Sequence, residues 1–317
     1  MNRLLAAARS RVTRWVFLGV AVALAVWAVV ASWDEITAAL ADLSWLLVGG
    51  ALVVSIAYVL ATMVSWLRLL NDLGEPLRPS SALALFGVSQ LGKYIPGGVW
   101  NVVAAAELGA QHKISRRRSV AAMAVAVLVS VVSGLLVGAL ALWLGPPDTR
   151  DRWGWAGLLV PVLVVVLVPP VLNRLVDRAF RLMRREPLDQ PLSTRGLGTA
   201  TLWALVGWLL VGLQVWMLAV GVGMEASWRT FALCVGAYGL AWVVGLLVVF
   251  VPAGAGAREA VLLVALSGVL PHGAVLAVVL VSRVLVTVTD LLLAGAGLTI
   301  ARRQARDAAP AGEVPAA

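Results

Sequence analysis

Apolar residues in this chain fall into long runs, separated by short stretches that collect arginine, lysine, aspartate and glutamate. Six runs, at about 15–32, 44–67, 119–144, 153–173, 199–221 and 273–300, have roughly the 17–25 residues that a bilayer core requires. Two further stretches, 80–110 and 228–270, are equally apolar but are broken near their middles. The first break reads Lys93-Tyr94-Ile95-Pro96-Gly97-Gly98 and the second Val249-Phe250-Val251-Pro252-Ala253-Gly254-Ala255-Gly256. Proline removes a backbone donor and clashes with the preceding turn, so neither stretch reads as one continuous helix. Each is expected to be a re-entrant helical hairpin. Irregular backbone at membrane depth is tolerated only where protein buries it or it lines a cavity.

The two breaks resemble each other. Each has an aromatic residue, a β-branched residue, a proline and then small residues, and the prolines lie 156 positions apart. The same offset aligns 120–139 with 276–295. A matched pair of interrupted segments in two halves points to a transporter architecture with its site at the interface. The expected fold is therefore all-α: a polytopic integral membrane protein built as an inverted-repeat helical bundle with two re-entrant hairpins. The first half covers 1–173, with spans 15–32, 44–67, 119–144 and 153–173 and hairpin 80–110; span 153–173 is also assignable to the second half. A basic cytoplasmic linker covers 174–198. The second half covers 199–306, with spans 199–221 and 273–300 and hairpin 228–270. Residues 307–317 are expected to be a disordered tail.

Composition agrees with this reading. The chain has 317 residues, 61% hydrophobic and 13% charged. Mean hydropathy is +0.95. The formal net charge is +9, but its placement matters more than its size. Cations gather in the N-terminal tail, in 68–79, in 109–118, in the linker 174–198 and after the last span. The alternate loops hold Arg150, Arg152 and Arg229 together with Asp34, Glu35, Asp42, Asp148, Asp151 and Glu225. Lysine and arginine concentrate on the cytoplasmic side, so both termini are expected there, in a multi-pass protein of the cell membrane. The first hairpin then opens to the cytosol and the second to the outside. The run after Arg14 superficially resembles a signal peptide, but no small-x-small cleavage site follows, so it reads as a retained span. Leu172, Leu175, Val176, Ala179, Phe180 and Met183 share a helical face in the linker, as expected of a helix on an anionic leaflet or of a basic loop that fixes topology. The single cysteine, Cys234, excludes an intramolecular disulfide, and His112 and His272 form no ligand cluster. No metal or other cofactor is expected, and no nucleic-acid partner.

Six ionisable residues lie in or beside apolar segments: Lys93, Glu107, Arg258, Glu259, Arg283 and Asp290. Such residues are costly to bury, and a functional role is the default reading. Arg283 falls near the bilayer midplane, and Asp290, seven residues on, shares its face. A structural Arg283–Asp290 pair is the alternative to a lipid-headgroup path. The helix starts at both breaks carry free N–H groups that suit an anionic phosphate. Gly97, Gly98, Gly254 and Gly256 would let a ligand approach the backbone, or would serve close helix packing. Lys93 would contact a headgroup or snorkel to the interface. Glu259 and Glu107 would neutralise Arg258 and Lys93, or couple to protons. Tyr94, Asn101 and Gln90 would bond a headgroup or a neighbouring helix. The candidate headgroup site is thus Lys93, Tyr94, Pro96, Gly97, Gly98, Asn101, Pro252, Gly254, Gly256, Arg258, Glu259, Arg283 and Asp290, with no catalytic residue. Arg258, Glu259 and Arg283 give the second half most of the charge, so mutational sensitivity is expected to lean toward it.

The stretch Leu91–Trp100, the basic segment Gln111–Ser119, the run Pro252–Glu259 and the Ser282-Arg283…Asp290 pattern together resemble the lysylphosphatidylglycerol synthase transmembrane (flippase-like) family. The resemblance covers nearly all of the chain. It implies a membrane domain that translocates lipid, without the synthase domain of the bifunctional members, and hence a stand-alone member. One departure concerns an acidic-basic pair in the helix after the first hairpin. The corresponding positions here are Ala126 and Val127, counterparts of Ser282 and Arg283. The expected function is movement of a polar, phosphate-bearing lipid, an anionic phospholipid or glycolipid, with a second copy or a lipid-biosynthesis enzyme as partner. The alternatives are a membrane enzyme that modifies a lipid, for which Glu259 and His272 are weak candidates, and a non-transporting partner of a glycosyltransferase.

Overall fold

The computed structural model describes residues 30, 33–41, 43–74, 76–95, 100–182, 192–248 and 254–307. The expected first span (15–32, all but Val30) and nearly all of the tail expected over 307–317 lie outside this set, as do Pro96, Gly97, Gly98 and Pro252. Every regular element among the described residues is helical. In chain order they are α1 (Trp33–Ala41), α2 (Trp45–Asp72), α3 (Pro79–Gln90), a 3-10 turn (Leu91–Tyr94), α4 (Trp100–Gln111), α5 (Arg116–Leu144), α6 (Pro147–Trp153), a second 3-10 stretch (Gly154–Leu159), α7 (Val160–Leu167), α8 (Pro169–Leu182), α9 (Thr194–Gly221), α10 (Trp228–Leu247), α11 (Ala257–Leu266) and α12 (His272–Asp307). By length and composition α2, α5, α9, α10 and most of α12 can each cross a membrane.

The starts of the long helices are written locally. Ser44, Ser115, Ser193 and Ser227 cap α2, α5, α9 and α10, each side chain accepting a bond from a backbone N–H of the first turn. Those N–H groups have no partner within their helix, so a serine oxygen is worth about 1 kcal/mol at each start.

The stretch expected as a span over 153–173 is bent. A 3-10 stretch and α7 run to Leu167, and the chain then bends by 80° into α8. The cause is the Val168-Pro169-Pro170 sequence. A residue before proline is pushed out of the α region, and Val168 is extended, with ψ of 127°. This bent pair is a sixth crossing only if its two arms count as one span. Along α8, Leu172 and Val176 are buried while Arg174, Leu175 and Arg178 are exposed. Asn173 fixes the approach of the following segment by bonding both the N–H and the carbonyl of Leu192.

The order long helix, helix, break, short helix, long helix occurs twice, in α2–α5 and in α9–α12. The packing crosses between the two sets. α2 lies along α9, α3 lies on α12, and α10 lies on α5. Both crossed contacts are close backbone approaches. A Cβ on Gly87 of α3 would sit 2.6 Å from the carbonyl oxygen of Leu293 in α12. On the other side Gly134 and Gly138 of α5 face Gly239 and Gly236 of α10, and a Cβ on Gly236 would collide with that of Ala141. Small residues let apolar helices approach closely where no hydrophobic force separates protein from lipid. Trp66, Leu69, Leu70, Leu85, Leu197 and Val211 fill the centre. Trp208 donates to Ser133 at 2.9 Å across it, and Ser65 to the carbonyl of Ala200 at 2.8 Å.

Candidate functional site

Where the two sets of helices meet they enclose a cavity of about 420 Å³. Its wall draws on α2 (Tyr58, Thr62, Trp66), α3 and its turn (Gln90, Lys93, Tyr94), α4 (Asn101), α5 (Met123, Ala126, Val127), α9 and α10 (Trp208, Trp242), α11 (Arg258) and α12 (Arg283, Val286). This volume is in the range of small-molecule sites, which run about 300–1,000 Å³. The wall is mainly apolar and aromatic, and its charged residues are Lys93, Arg258 and Arg283. Among the described residues no aspartate or glutamate lines it.

The carboxylates stand behind the cations. Asp290, whose side chain is fully buried, takes Lys93 Nζ at 2.7 Å and Tyr94 OH at 2.6 Å on the same oxygen, Oδ2. Tyr94 OH also lies 3.3 Å from Thr287 Oγ1. Arg283, Thr287 and Asp290 follow at i, i+4 and i+7, so one face of α12 presents all three. Glu259 has two duties. Its Oε2 accepts from the N–H of Gly256 at 2.5 Å, closing the start of α11, and its Oε1 lies 3.6 Å from Arg283 NH1. Glutamate at the third helical position supplies this one arm of a capping box; Gly256 has no side chain to return the bond.

Arg258 is held differently. Its guanidinium lies over the ring of Tyr238 at 5.7 Å, and Tyr238 meets Tyr58 edge to face at 6.3 Å. Its Nε is buried with no hydrogen-bond partner among the described residues. A buried donor left unpaired costs roughly 1–3 kcal/mol, which a bound acceptor would recover.

Backbone geometry positions Arg258. Gly254 has φ of +68° and Gly256 φ of +83°. Only glycine enters this left-handed region without strain. A Cβ on Gly254 would also sit 2.7 Å from Cα of Gly245 in α10. The turn thus folds flat against α10 before α11 begins.

Of the residues named from sequence, the structure brings Lys93, Tyr94, Asn101, Gly254, Arg258 and Arg283 to one cavity. Asp290, Glu259 and Gly256 support that wall without lining it. The pairings weighed from sequence, Arg283 with Asp290, Glu259 with Arg258 and Glu107 with Lys93, come out otherwise. Arg283 pairs with Glu259 and Asp290 with Lys93. Glu107 does not serve Lys93: it is exposed and takes two bonds from Arg116, at 3.0 and 2.9 Å, which hold its carboxyl below the usual carboxylate range. Sequence reasoning missed Tyr58 and Tyr238. The signal was present, since the chain has three tyrosines and all three gather at this site. It also missed Thr287, which nothing distinguishes from other mid-helix threonines. Among the described residues no cluster of His, Cys, Asp or Glu could hold a metal ion.

No similar protein was found among curated sequences. The family described as "Lysylphosphatidylglycerol synthase TM region" matches residues 16–294, a range that holds every described residue lining the cavity. This polytopic all-α chain belongs to the lysylphosphatidylglycerol synthase transmembrane-region family.

Proposed function

We propose that this protein is a lipid translocase of the cytoplasmic membrane, which moves a polar, phosphate-bearing lipid between leaflets while its tails stay in the bilayer. One observation carries the reading: three cations from separate segments converge on one cavity whose wall, among the described residues, holds no carboxylate. An isolated cation among apolar helices is expensive, so such a cluster is retained for a ligand that needs it. The uncompensated donor on Arg258 gives that ligand a specific place.

The crossed packing of α3 on α12 and α10 on α5 supports a two-half reading. In it, α2–α5 and α9–α12 are inverted counterparts, the termini are cytoplasmic, and one half rocks against the other around the cavity. The lipid leaves chemically as it entered, so no covalent step falls to any residue.

The test is reconstitution in liposomes carrying a fluorescent anionic phospholipid, with a membrane-impermeant quencher reporting the outer leaflet. Accelerated inter-leaflet movement over protein-free vesicles is expected. Movement no faster than in protein-free vesicles, at densities where a known flippase works, would rule the reading out.

A further inference from the structure

We infer that the headgroup taken by this chain is a net-anionic phosphodiester, and that a headgroup carrying an added ammonium is excluded. The inference rests on the translocase reading and concerns which lipid that site accepts. Its basis is the separation of charge by depth. The cations Lys93, Arg258 and Arg283 line the cavity, while the carboxylates of Asp290 and Glu259 do not.

Each of those carboxylates already has work. Asp290 Oδ2 holds both Lys93 and Tyr94; its Oδ1 has no hydrogen-bond partner among the described residues, but the side chain is fully buried and does not line the cavity. Glu259 uses one oxygen on the backbone of Gly256 and faces Arg283 with the other. A ligand entering the cavity therefore meets donors and positive charge first. The remaining polar groups on the wall among the described residues, such as Gln90 and Asn101, are uncharged.

Formal charge points the same way. Among the described residues, three cations and two carboxylates leave one positive charge in the cluster. One phosphodiester balances it. A lysyl ester of the same lipid adds two ammonium groups and reverses the sign of the headgroup. Those ammoniums would enter a mainly apolar cavity beside three like charges, with no carboxylate among the described wall residues to pair with. Like charges at close range in such surroundings repel strongly. Specificity of this kind comes from what the site repels as much as from what it binds.

The experiment measures binding to the purified full chain in neutral detergent. The probes are short-chain phosphatidylglycerol, its lysyl ester, and deacylated glycerophosphoglycerol. Phosphatidylglycerol is expected to bind at least about tenfold more tightly than the lysyl ester, about 1.4 kcal/mol. Asn101→Asp, an isosteric change that puts a carboxylate on the wall, is expected to narrow that ratio. Its circular dichroism and elution profile report whether it folds. Equal or tighter binding of the lysyl ester by the unaltered protein would overturn the inference, and movement of that ester in liposomes would leave the translocase reading standing. Binding and movement of neither lipid would remove both. Glycerophosphoglycerol binding as tightly as the lipid would make this a free phosphate-ester site and overturn the lipid assignment.

Discussion

Nζ of Lys93, in the turn after α3, lies 2.7 Å from Oδ2 of the buried Asp290 in α12, so an ion pair joins the two sets of helices at the edge of the cavity. The same carboxylate oxygen accepts from Tyr94. This contact ties the segment beside the first Pro-Gly break to the helix that also carries Arg283.

Removing one partner of such a pair leaves the other charge without compensation. Asp290→Asn is expected to cost about 2 kcal/mol of stability, below the ~3–5 kcal/mol of a fully buried pair, because the Lys93 side chain is 28% exposed. Lys93→Met together with Asp290→Asn is expected to cost less than the two single changes combined. Thermal unfolding in detergent measures all three, and strictly additive losses would mean that the pair is not an energetic unit.

The cations are expected to differ in what they contribute to binding. Lys93 and Arg283 face carboxylates, whereas Nε of Arg258 is buried without an acceptor. Arg258→Gln is therefore expected to weaken binding of an anionic lipid the most, by about tenfold or more, since a charged hydrogen bond is worth roughly 1.5–3 kcal/mol. Arg283→Gln and Lys93→Gln should follow with smaller losses. Titration of each variant with short-chain phosphatidylglycerol gives the order. An Arg258→Gln protein that binds like the parent would displace the ligand from this position.

Two glycines of one turn separate backbone strain from crowding. Gly256→Ala meets open space but keeps a positive φ, so a cost of about 1–2 kcal/mol is expected. Gly254→Ala also keeps a positive φ and adds a collision with the backbone of Gly245, so it should be the worse of the two. Comparing their melting temperatures decides it, and equal shifts would argue against the close contact of this turn with α10.

Packing of α10 on α5 makes a compensation testable. Gly236→Ala places a Cβ where Ala141 already has one. Ala141→Gly frees that space. The double variant is expected to regain much of the stability lost by Gly236→Ala alone, as read from the fraction that stays monodisperse on heating. No recovery would show that these helices do not meet at this pair.

Glu107 supplies a negative control. Arg116 holds its carboxyl below the usual range, so the pair is intact at neutral pH and is lost only as pH falls through that lowered value. Both partners are exposed. Exposed pairs contribute little, so Glu107→Gln is expected to leave lipid movement and melting temperature unchanged at pH 7. A loss of lipid movement in this variant would reopen a role for Glu107 near Lys93.

Much of the fold was legible along the chain. Apolar run length marked α2, α5, α9 and α12, and serine caps and prolines set most of their starts. The bend at Val168 was equally legible in its two prolines, but run length alone read through it. The residues of the site were legible for another reason. A charge inside an apolar run stands out because burying it is costly, and Lys93, Arg258 and Arg283 were visible on that ground.

Sequence by itself determined that this is a helical membrane protein, where its chain breaks, and which ionisable residues must find partners inside it. Tertiary structure alone decided which partner each one found. Asp290 lies on the same helix face as Arg283, yet it serves Lys93, because α3 packs on α12 and brings its turn to that carboxylate. Glu259 adjoins Arg258, yet it faces Arg283 and leaves Arg258 to the ring of Tyr238. The physical reason is that these helices are apolar nearly all round. No polar stripe marks which side meets protein, so adjacency is set by small residues and shape, and the ion pairs follow from adjacency.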